Sequence, residues 1–247
     1  MWQPNHCSLL GQKGSEPADL KKVLQKQWIL IVGDSNSRHL IPSFCQKGQK
    51  EVSKLPLQVC VADSYVITAM TSWPYTGWAL ESFMRKNLTA LLDNIIGTTP
   101  LPDAVRSKVE PDFIFLSLGT HTPGASGPEM PRKVLEDFEK VRPEWLAARK
   151  VALLLTTTCS TRHLMGGDYP GLQGLEAFQN NPRLTSVNRA SVETFKDKAY
   201  FLDFASTTHP FTIAGTMKDV VHFKERVYHS HAVMMLTLLN LVNKRKW

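Results

Sequence analysis

The 247-residue sequence has no long apolar run and no leader-like start. No window reaches the ~18 apolar residues that a membrane-spanning helix needs. The most apolar stretch, residues 232–242, is interrupted by Thr237 and Asn240. Residues 1–6 lack both the basic and the apolar region of a signal peptide. We therefore expect no transmembrane segment, and either a cytosolic protein or part of a longer secretory chain.

Cysteine is also scarce, and the sequence contains four: Cys7, Cys45, Cys60 and Cys159. They show no Cys-x-x-Cys spacing, so we expect no metal site. No glycine-rich phosphate-binding loop occurs, and we expect no cofactor. An even number of cysteines permits disulfides without requiring any, and Asn87 begins a glycosylation sequon that matters only in the secretory pathway.

The charge balance is basic but not concentrated. Lys and Arg number 29 against 22 for Asp and Glu, which gives a net charge of +7. The basic residues are scattered and do not alternate with stacking aromatics, as they do on nucleic-acid surfaces. We expect a solvated basic face and no nucleic-acid partner. A protein that binds acidic surfaces through residues 21–54 is an alternative, which a steep salt dependence of binding would reveal.

Apolar runs alternate with segments of helical period. The β-rich runs are residues 28–32, 59–67, 113–118, 151–156 and 199–204. The helical segments are residues 79–96, 131–149, 184–196 and 228–242. This alternation predicts one α/β domain over residues 1–247, with a mainly parallel sheet between helices and an N-terminal segment, residues 1–27, before the first strand. Such sheets bind ligands at the carboxyl ends of their strands.

A Gly-Asp-Ser tripeptide, Gly33 to Ser35, stands at the carboxyl end of the first predicted strand. A serine on such a tight turn lies at a helix N-terminus, where free N–H groups and the helix dipole stabilise negative charge near its oxygen. The position is therefore suited to a nucleophile. A simple helix cap is an equally good interpretation of the tripeptide alone.

A carboxylate and an imidazole stand together ahead of the last predicted helix. Asp219 precedes His222 by three residues. Such a turn can hold the carboxylate against Nδ1 and leave Nε2 to take a serine proton. A solvated loop histidine is the alternative, but the joint occurrence with Ser35 favours a catalytic role for His222.

Gly119, Thr120 and His121 follow the third predicted strand. If that strand neighbours the first one, these residues lie beside Ser35. Acyl transfer needs donors aimed at the developing oxyanion. His121 can be such a donor if the nitrogen that faces the oxyanion carries the proton.

An aromatic segment follows the second predicted strand. Within it, the Gly77 N–H could complete an oxyanion hole. The rings of Trp73 and Trp78 could face a sugar, but two indoles this close are as typical of core packing.

This set of motifs resembles the four blocks of the SGNH (GDSL) hydrolase superfamily, over nearly the whole chain. It is most similar to the PC-esterase branch, which includes neurexophilin-and-PC-esterase and cadherin-like-and-PC-esterase proteins. Trp2 and Cys7 match a Trp-x-x-x-x-Cys segment before the strand. Arg38 matches an arginine after Gly-Asp-Ser, and His121 matches a Gly-x-His that replaces Gly-x-Asn-Asp. Phe223 departs from the pattern, because close relatives often have proline after the catalytic histidine.

The resemblance implies a flavodoxin-like, three-layer α/β/α fold. It implies Ser35 as nucleophile, His222 as base and Asp219 as the acid that orients it. The oxyanion hole would consist of the Ser35 and Gly77 amides with His121. The candidate substrate-binding residues are Asp34, Arg38, Trp73, Trp78 and Thr120.

The resemblance also implies the substrate, an acyl group, typically O-acetyl, on a glycan or glycoprotein, removed by hydrolysis or transferred to another hydroxyl. The expected partner is therefore an acylated carbohydrate or glycoprotein. The family further implies the secretory pathway and further domains in a longer precursor. If the chain is lumenal, we expect Cys7 to pair with Cys60 or Cys45 and clip the N-terminal segment to the sheet.

Three interpretations stay open at this point. The first is an active serine acyl hydrolase or transferase. The second is a catalytically inactive PC-esterase-like module that binds glycans or proteins. The unusual context of His222 favours it, and the intact set of Ser35, Asp219 and His222 argues against it. The third is the basic surface-binding protein. His209, which precedes Pro210, is a rival to His222 but has no aspartate three residues before it.

Overall fold

The computed structural model describes most of the sheet and the helices that cover it. The described residues are 22–45, 50–54, 57–71, 81, 84, 85, 88, 90, 97, 101–118, 127–156, 181–213 and 223–244. Every structural statement below concerns these residues.

One sheet organises the described part of the chain. Its seven strands are β1 (Trp28–Gly33), β2 (Lys50–Lys54), β3 (Leu57–Val61), β4 (Val66–Thr71), β5 (Phe113–Leu116), β6 (Val151–Leu155) and β7 (Tyr200–Asp203). They lie in the order β2-β3-β4-β1-β5-β6-β7. The neighbours from β4 to β7 pair in parallel, whereas β2, β3 and β4 pair antiparallel. The prediction of a mainly parallel sheet is confirmed.

The helices cover both faces of this sheet. Their bounds are α1 (Ser35–Arg38), α2 (Ile41–Phe44), α3 (Asp103–Arg106), α4 (Met130–Val141), α5 (Pro143–Ala147), α6 (Asn181–Phe195), α7 (Phe204–Ile213) and α8 (Glu225–Lys244), with a short 3₁₀ turn at Gly127–Glu129. In the part described, none of these helices is both long and apolar enough to cross a membrane.

The central strand shows why three layers form. All six residues of β1 are buried, and successive side chains of a strand point to opposite faces. Leu30 and Val32 join one apolar cluster, together with side chains of α3 to α6. Ile29 and Ile31 join a second cluster, with side chains of α2, α7 and α8. Each face of the sheet therefore has its own core, and the predicted α/β/α sandwich is confirmed.

Some predicted elements differ from those observed. The run at 59–67 is part of an antiparallel hairpin, β3 and β4, whose turn is closed by the Ala62 N–H donating to the Tyr65 carbonyl at 3.0 Å. The helix expected over 131–149 divides into α4 and α5. Proline disfavours helical backbone in the residue before it, and Arg142, before Pro143, leaves the helical region with φ −143°.

The expected disulfide pairing of Cys7 with Cys60 or Cys45 is wrong. Cys45 and Cys60 are bonded to each other, with their Cα atoms 5.6 Å apart. Cys45 follows α2 and Cys60 lies within β3, so the bond ties the helix after the Ser35 turn to the antiparallel edge of the sheet. Neither sulfur is left for Cys7, which lies outside the described residues.

Candidate active site

Ser35 lies at the carboxyl end of the central strand. β1 ends at Gly33 and α1 begins at Ser35, so a single residue, Asp34, makes the turn between them. The Asp34 carboxylate caps α1, because its Oδ1 accepts the Asn36 N–H at 2.9 Å. Asp34 is fully buried and Ser35 is 8% exposed. The turn thus presents a nearly buried serine hydroxyl at the edge of the sheet where ligands of such folds bind.

Only glycine fits at the start of this turn. A Cβ atom built on Gly33 would lie 1.7 Å from Ser37 Oγ and 2.6 Å from Ser37 Cβ. It would also lie 3.1 Å from the Cβ of Ser117 at the end of β5. The missing side chain lets α1 fold back closely onto the end of the strand. The glycine of the tripeptide is therefore a packing requirement of the serine turn.

The two strands that flank β1 are β4 and β5, and both run parallel to it. Gly33 stands opposite Thr71 at the end of β4, and Val32 stands opposite Leu116 at the end of β5. The Ser117 N–H then donates to the Val32 carbonyl at 2.8 Å. The condition under which Gly119 to His121 were expected beside Ser35, that the two strands are neighbours, is met.

The chain just after His222 also reaches this turn. The Phe223 N–H donates to the Tyr228 hydroxyl at 3.1 Å. That hydroxyl in turn donates to Asn36 Oδ1 at 2.6 Å. The start of α8 is thus hydrogen-bonded to the residue that follows Ser35, across 192 positions of sequence.

A small cavity of about 20 Å³ lies beside this network. Two buried polar atoms on residues that line it, Ser37 Oγ and His231 Nε2, have no hydrogen-bond partner among the described residues. The His231 ring stacks on Phe204 with centroids 3.8 Å apart. Burial lowers the pKa of His231 to about 3, so this imidazole is neutral at physiological pH.

The structure places some of the predicted site residues and not others. Ser35 and Asp34 form the turn, and Arg38, half-buried, ends α1. His209 falls within α7, where no helix was predicted. The remaining predicted site residues lie outside the described ranges and stay predictions: Trp73, Gly77, Trp78, Thr120, His121, Asp219 and His222.

Sequence reasoning missed three residues of this region: Asn36, Tyr228 and His231. Asn36 belongs to no chemical motif, and the tyrosine and histidine look like ordinary positions of an amphipathic helix. No local signal could have found them, because their roles depend on contacts between the two ends of the chain. Among the described side chains, no cluster of three or more His, Cys, Asp or Glu could hold a metal ion.

Comparison with known proteins agrees with the architecture. The chain resembles the lipase/acylhydrolase from Enterococcus faecalis with a TM-score of 0.51 and 13% identity, over 89% of this chain and 96% of that one. It also resembles a member of the lipolytic protein G-D-S-L family from Veillonella parvula, with a TM-score of 0.42 and 14% identity, over 85% of this chain and 96% of that one. No protein-family model and no curated protein sequence matches the chain. The chain thus shares its fold with the lipase/acylhydrolase from Enterococcus faecalis.

Proposed function

We propose that the chain is a serine-dependent acyl ester hydrolase or O-acyltransferase of the PC-esterase branch. The observation that carries this proposal is the position of Ser35. It is a nearly buried serine in a Gly-Asp-Ser turn, at the carboxyl end of the central parallel strand. The fold shared with a lipase/acylhydrolase supports the same chemistry.

In the proposed mechanism, Ser35 Oγ attacks the carbonyl carbon of the ester while His222 takes the hydroxyl proton. Asp219 orients the imidazole. The Ser35 and Gly77 amides and His121 stabilise the negative charge on the carbonyl oxygen. The intermediate then collapses, the ester C–O bond breaks, and His222 returns the proton to the leaving alkoxide.

The acyl-enzyme is resolved by the same residues. His222 deprotonates either water, which gives hydrolysis, or a sugar hydroxyl, which gives transfer. The deprotonated oxygen bonds to the acyl carbonyl carbon, and the π electrons of the C=O bond move onto the carbonyl oxygen. The resulting oxyanion collapses with release of Ser35 Oγ, which regains its proton from His222. No step requires a metal or a cofactor.

We propose an O-acetyl group on a glycan or glycoprotein as the substrate. Arg38, Thr120, Trp73 and Trp78 are the proposed contacts to the sugar, because indole rings stack on sugar faces and a guanidinium donates to hydroxyl oxygens. Asp34 acts differently in this proposal, since its buried carboxylate caps α1 and shapes the turn.

We also place the protein in the secretory pathway, with the acyl sugar presented in the lumen or outside the cell. The disulfide between Cys45 and Cys60 supports this proposal. Disulfides form and persist in oxidising compartments and are rare in the cytosol.

A fluorophosphonate probe, which reacts with activated serines, tests the proposed function. We expect peptide mapping of the labelled protein to find the probe on Ser35, and Ser35→Ala to abolish labelling. Ser43→Ala, on the next helix, is the matched control and should label like the wild type. His222→Ala should reduce labelling at least about a hundredfold, as loss of a general base does.

The parallel variant His209→Ala distinguishes the two histidines. If labelling is lost in His209→Ala and kept in His222→Ala, the base is misassigned. If folded wild-type protein takes no label at Ser35, the enzyme proposal fails and the inactive binding module replaces it. Release of acetate from O-acetylated glycans, with and without an added sugar acceptor, then separates hydrolysis from transfer.

A further inference from the structure

A single buried tyrosine joins the two ends of the chain at the serine turn. Tyr228 lies in the first turns of α8 and is 4% exposed. Its hydroxyl contacts both Asn36 Oδ1 and the Phe223 N–H. Asn36 follows Ser35 directly, and Phe223 follows His222 directly. We propose that Tyr228 is a positioning residue, which holds the serine turn and the chain next to His222 in a fixed relation; this inference rests on the proposed function.

The surroundings of the tyrosine ring support this role. The ring stacks on His39 with centroids 5.3 Å apart and planes inclined by 30°. It also meets the Phe223 ring edge to face, with centroids 6.2 Å apart. Burial and these two ring contacts restrict the orientation of the ring, and thereby the position of its hydroxyl. The oxygen therefore acts as a fixed point between the two segments.

Asn36 links the Tyr228 hydroxyl to Ser35, the proposed nucleophile. Its backbone N–H is held by Asp34 Oδ1 at 2.9 Å, and its side-chain oxygen is held by Tyr228 at 2.6 Å. Both hydrogen bonds together fix the residue that is bonded to Ser35. Rotation of the turn would move Ser35 Oγ, and a displacement of about 1 Å in a reacting group can cost about a hundredfold in rate.

Phe223 links the Tyr228 hydroxyl to the segment that contains His222. A backbone N–H in a buried position needs an acceptor, and for Phe223 the acceptor is the Tyr228 hydroxyl. Loss of this acceptor frees the peptide unit next to His222. Tyr228 thus acts through the residues on either side of it and does not itself touch the substrate.

The test is Tyr228→Phe, which keeps the ring and removes the hydroxyl. We expect the rate constant for fluorophosphonate labelling of Ser35 at saturating probe to fall at least about tenfold, with little change in the half-saturating probe concentration. We also expect the pH midpoint of labelling to shift, because the environment of the base changes. Labelling of folded Tyr228→Phe at the wild-type rate and pH midpoint would overturn the inference.

Tyr65→Phe is the matched control. Tyr65 is also buried, and its hydroxyl donates to the Phe44 carbonyl at 3.0 Å, away from the serine turn. Both variants lose a buried hydrogen bond, so both should unfold more easily. Only Tyr228→Phe should change the rate and pH profile of labelling. An equal change in Tyr65→Phe would reduce Tyr228 to a structural role and refute the inference.

Asn36→Ala tests the same hydrogen bond from the other side, and does so even if Tyr228→Phe folds poorly. Because both changes break one network, the rate losses in the double variant should be smaller than the product of the single losses. Losses that multiply would contradict the inference. Absence of label from folded wild-type protein would instead remove the serine site, and with it any role of Tyr228 there.

Discussion

Gly33 shows at the level of a single residue how closely the serine turn is packed. The space for its absent side chain is filled by Ser37, whose Oγ and Cβ are the nearest atoms. The Gly-Asp-Ser tripeptide is therefore constrained at its first position by sterics and at its second by helix capping. Only its third position is left for chemistry.

Gly33→Ala should accordingly push α1 away from β1. We expect the free energy of unfolding to fall by about 1–3 kcal/mol, as in other overpacked sites, and labelling of Ser35 to fall with it. Denaturant titration measures the first effect. Adding Ser37→Gly removes both clashing atoms and should restore labelling in part, whereas adding Ser37→Ala leaves the Cβ contact at 2.6 Å and should not. Equal rescue by both would show that the steric explanation is wrong.

The burial of His231 makes the free energy of unfolding depend on pH. Burial lowers its pKa from 6.5 to about 3, so the folded protein keeps the ring neutral where the unfolded chain protonates it. The free energy of unfolding should therefore be unaffected by this residue above about pH 6.5 and fall below it, by up to about 1.4 kcal/mol per pH unit. His231→Phe keeps a ring to stack on Phe204 and should flatten this slope in denaturant titrations between pH 7.5 and 4.5.

His229→Gln provides the comparison for that experiment, because His229 is exposed on the same helix. We expect it to keep the wild-type slope. The prediction fails if His231→Phe and the wild type lose stability in parallel as the pH falls.

At the level of elements, pattern predicts the strands buried on both faces, β1, β5 and β6, and also β7, whose side chains are half-buried or exposed. The apolar runs in β1, β5 and β6 are continuous and shorter than a typical helix, so a strand buried on both faces is the interpretation that fits them. β2 was missed because Lys50, Glu51 and Lys54 give it the polar character of an edge strand. α7 was missed because Pro210 lies inside it, and proline is a poor predictor of helix.

The residues of the candidate site also fall into two groups, those that the sequence predicts and those that it does not. Ser35 could be predicted because its motif is local and follows a predictable strand. The Asn36–Tyr228–Phe223 network could not, because a hydrogen bond across 192 positions leaves no periodic or spacing signal. Sequence thus predicts the position of the candidate nucleophile, whereas the residues that hold its turn in place can be found only from the fold.

The disulfide is the strongest local restraint on the antiparallel edge. Cys45 and Cys60 close a loop of 15 positions, which includes β2. Loop-closure entropy predicts that this bond stabilises the fold by about 3 kcal/mol. We expect dithiothreitol to lower the free energy of unfolding of the wild type by this amount and to leave a Cys45→Ala, Cys60→Ala double variant unchanged. A similar response of both proteins would assign the effect to other cysteines.

At the scale of the whole molecule, the core on one face of the sheet depends on the last helix. α8 contributes Val227, Ala232, Met235, Leu236, Leu239 and Val242 to the cluster that covers Ile29 and Ile31. The central strand and this helix thus contribute to one core, and the hydrogen bond from Tyr228 to Asn36 joins the helix to the serine turn. The serine turn therefore depends on a helix far along the chain, and not only on the segment that contains the proposed nucleophile.

This arrangement has a consequence during synthesis on the ribosome. Asn36 of the serine turn emerges early, whereas its hydrogen-bond partner Tyr228 follows 192 positions later. Until then the core that contains Ile29 and Ile31 lacks the apolar side chains of α8. A nascent chain that lacks α8 would therefore carry Ser35, the proposed nucleophile, without the hydrogen bond from Tyr228 to Asn36. If Ser35 has the proposed role, its reactivity would be delayed until α8 has been synthesised.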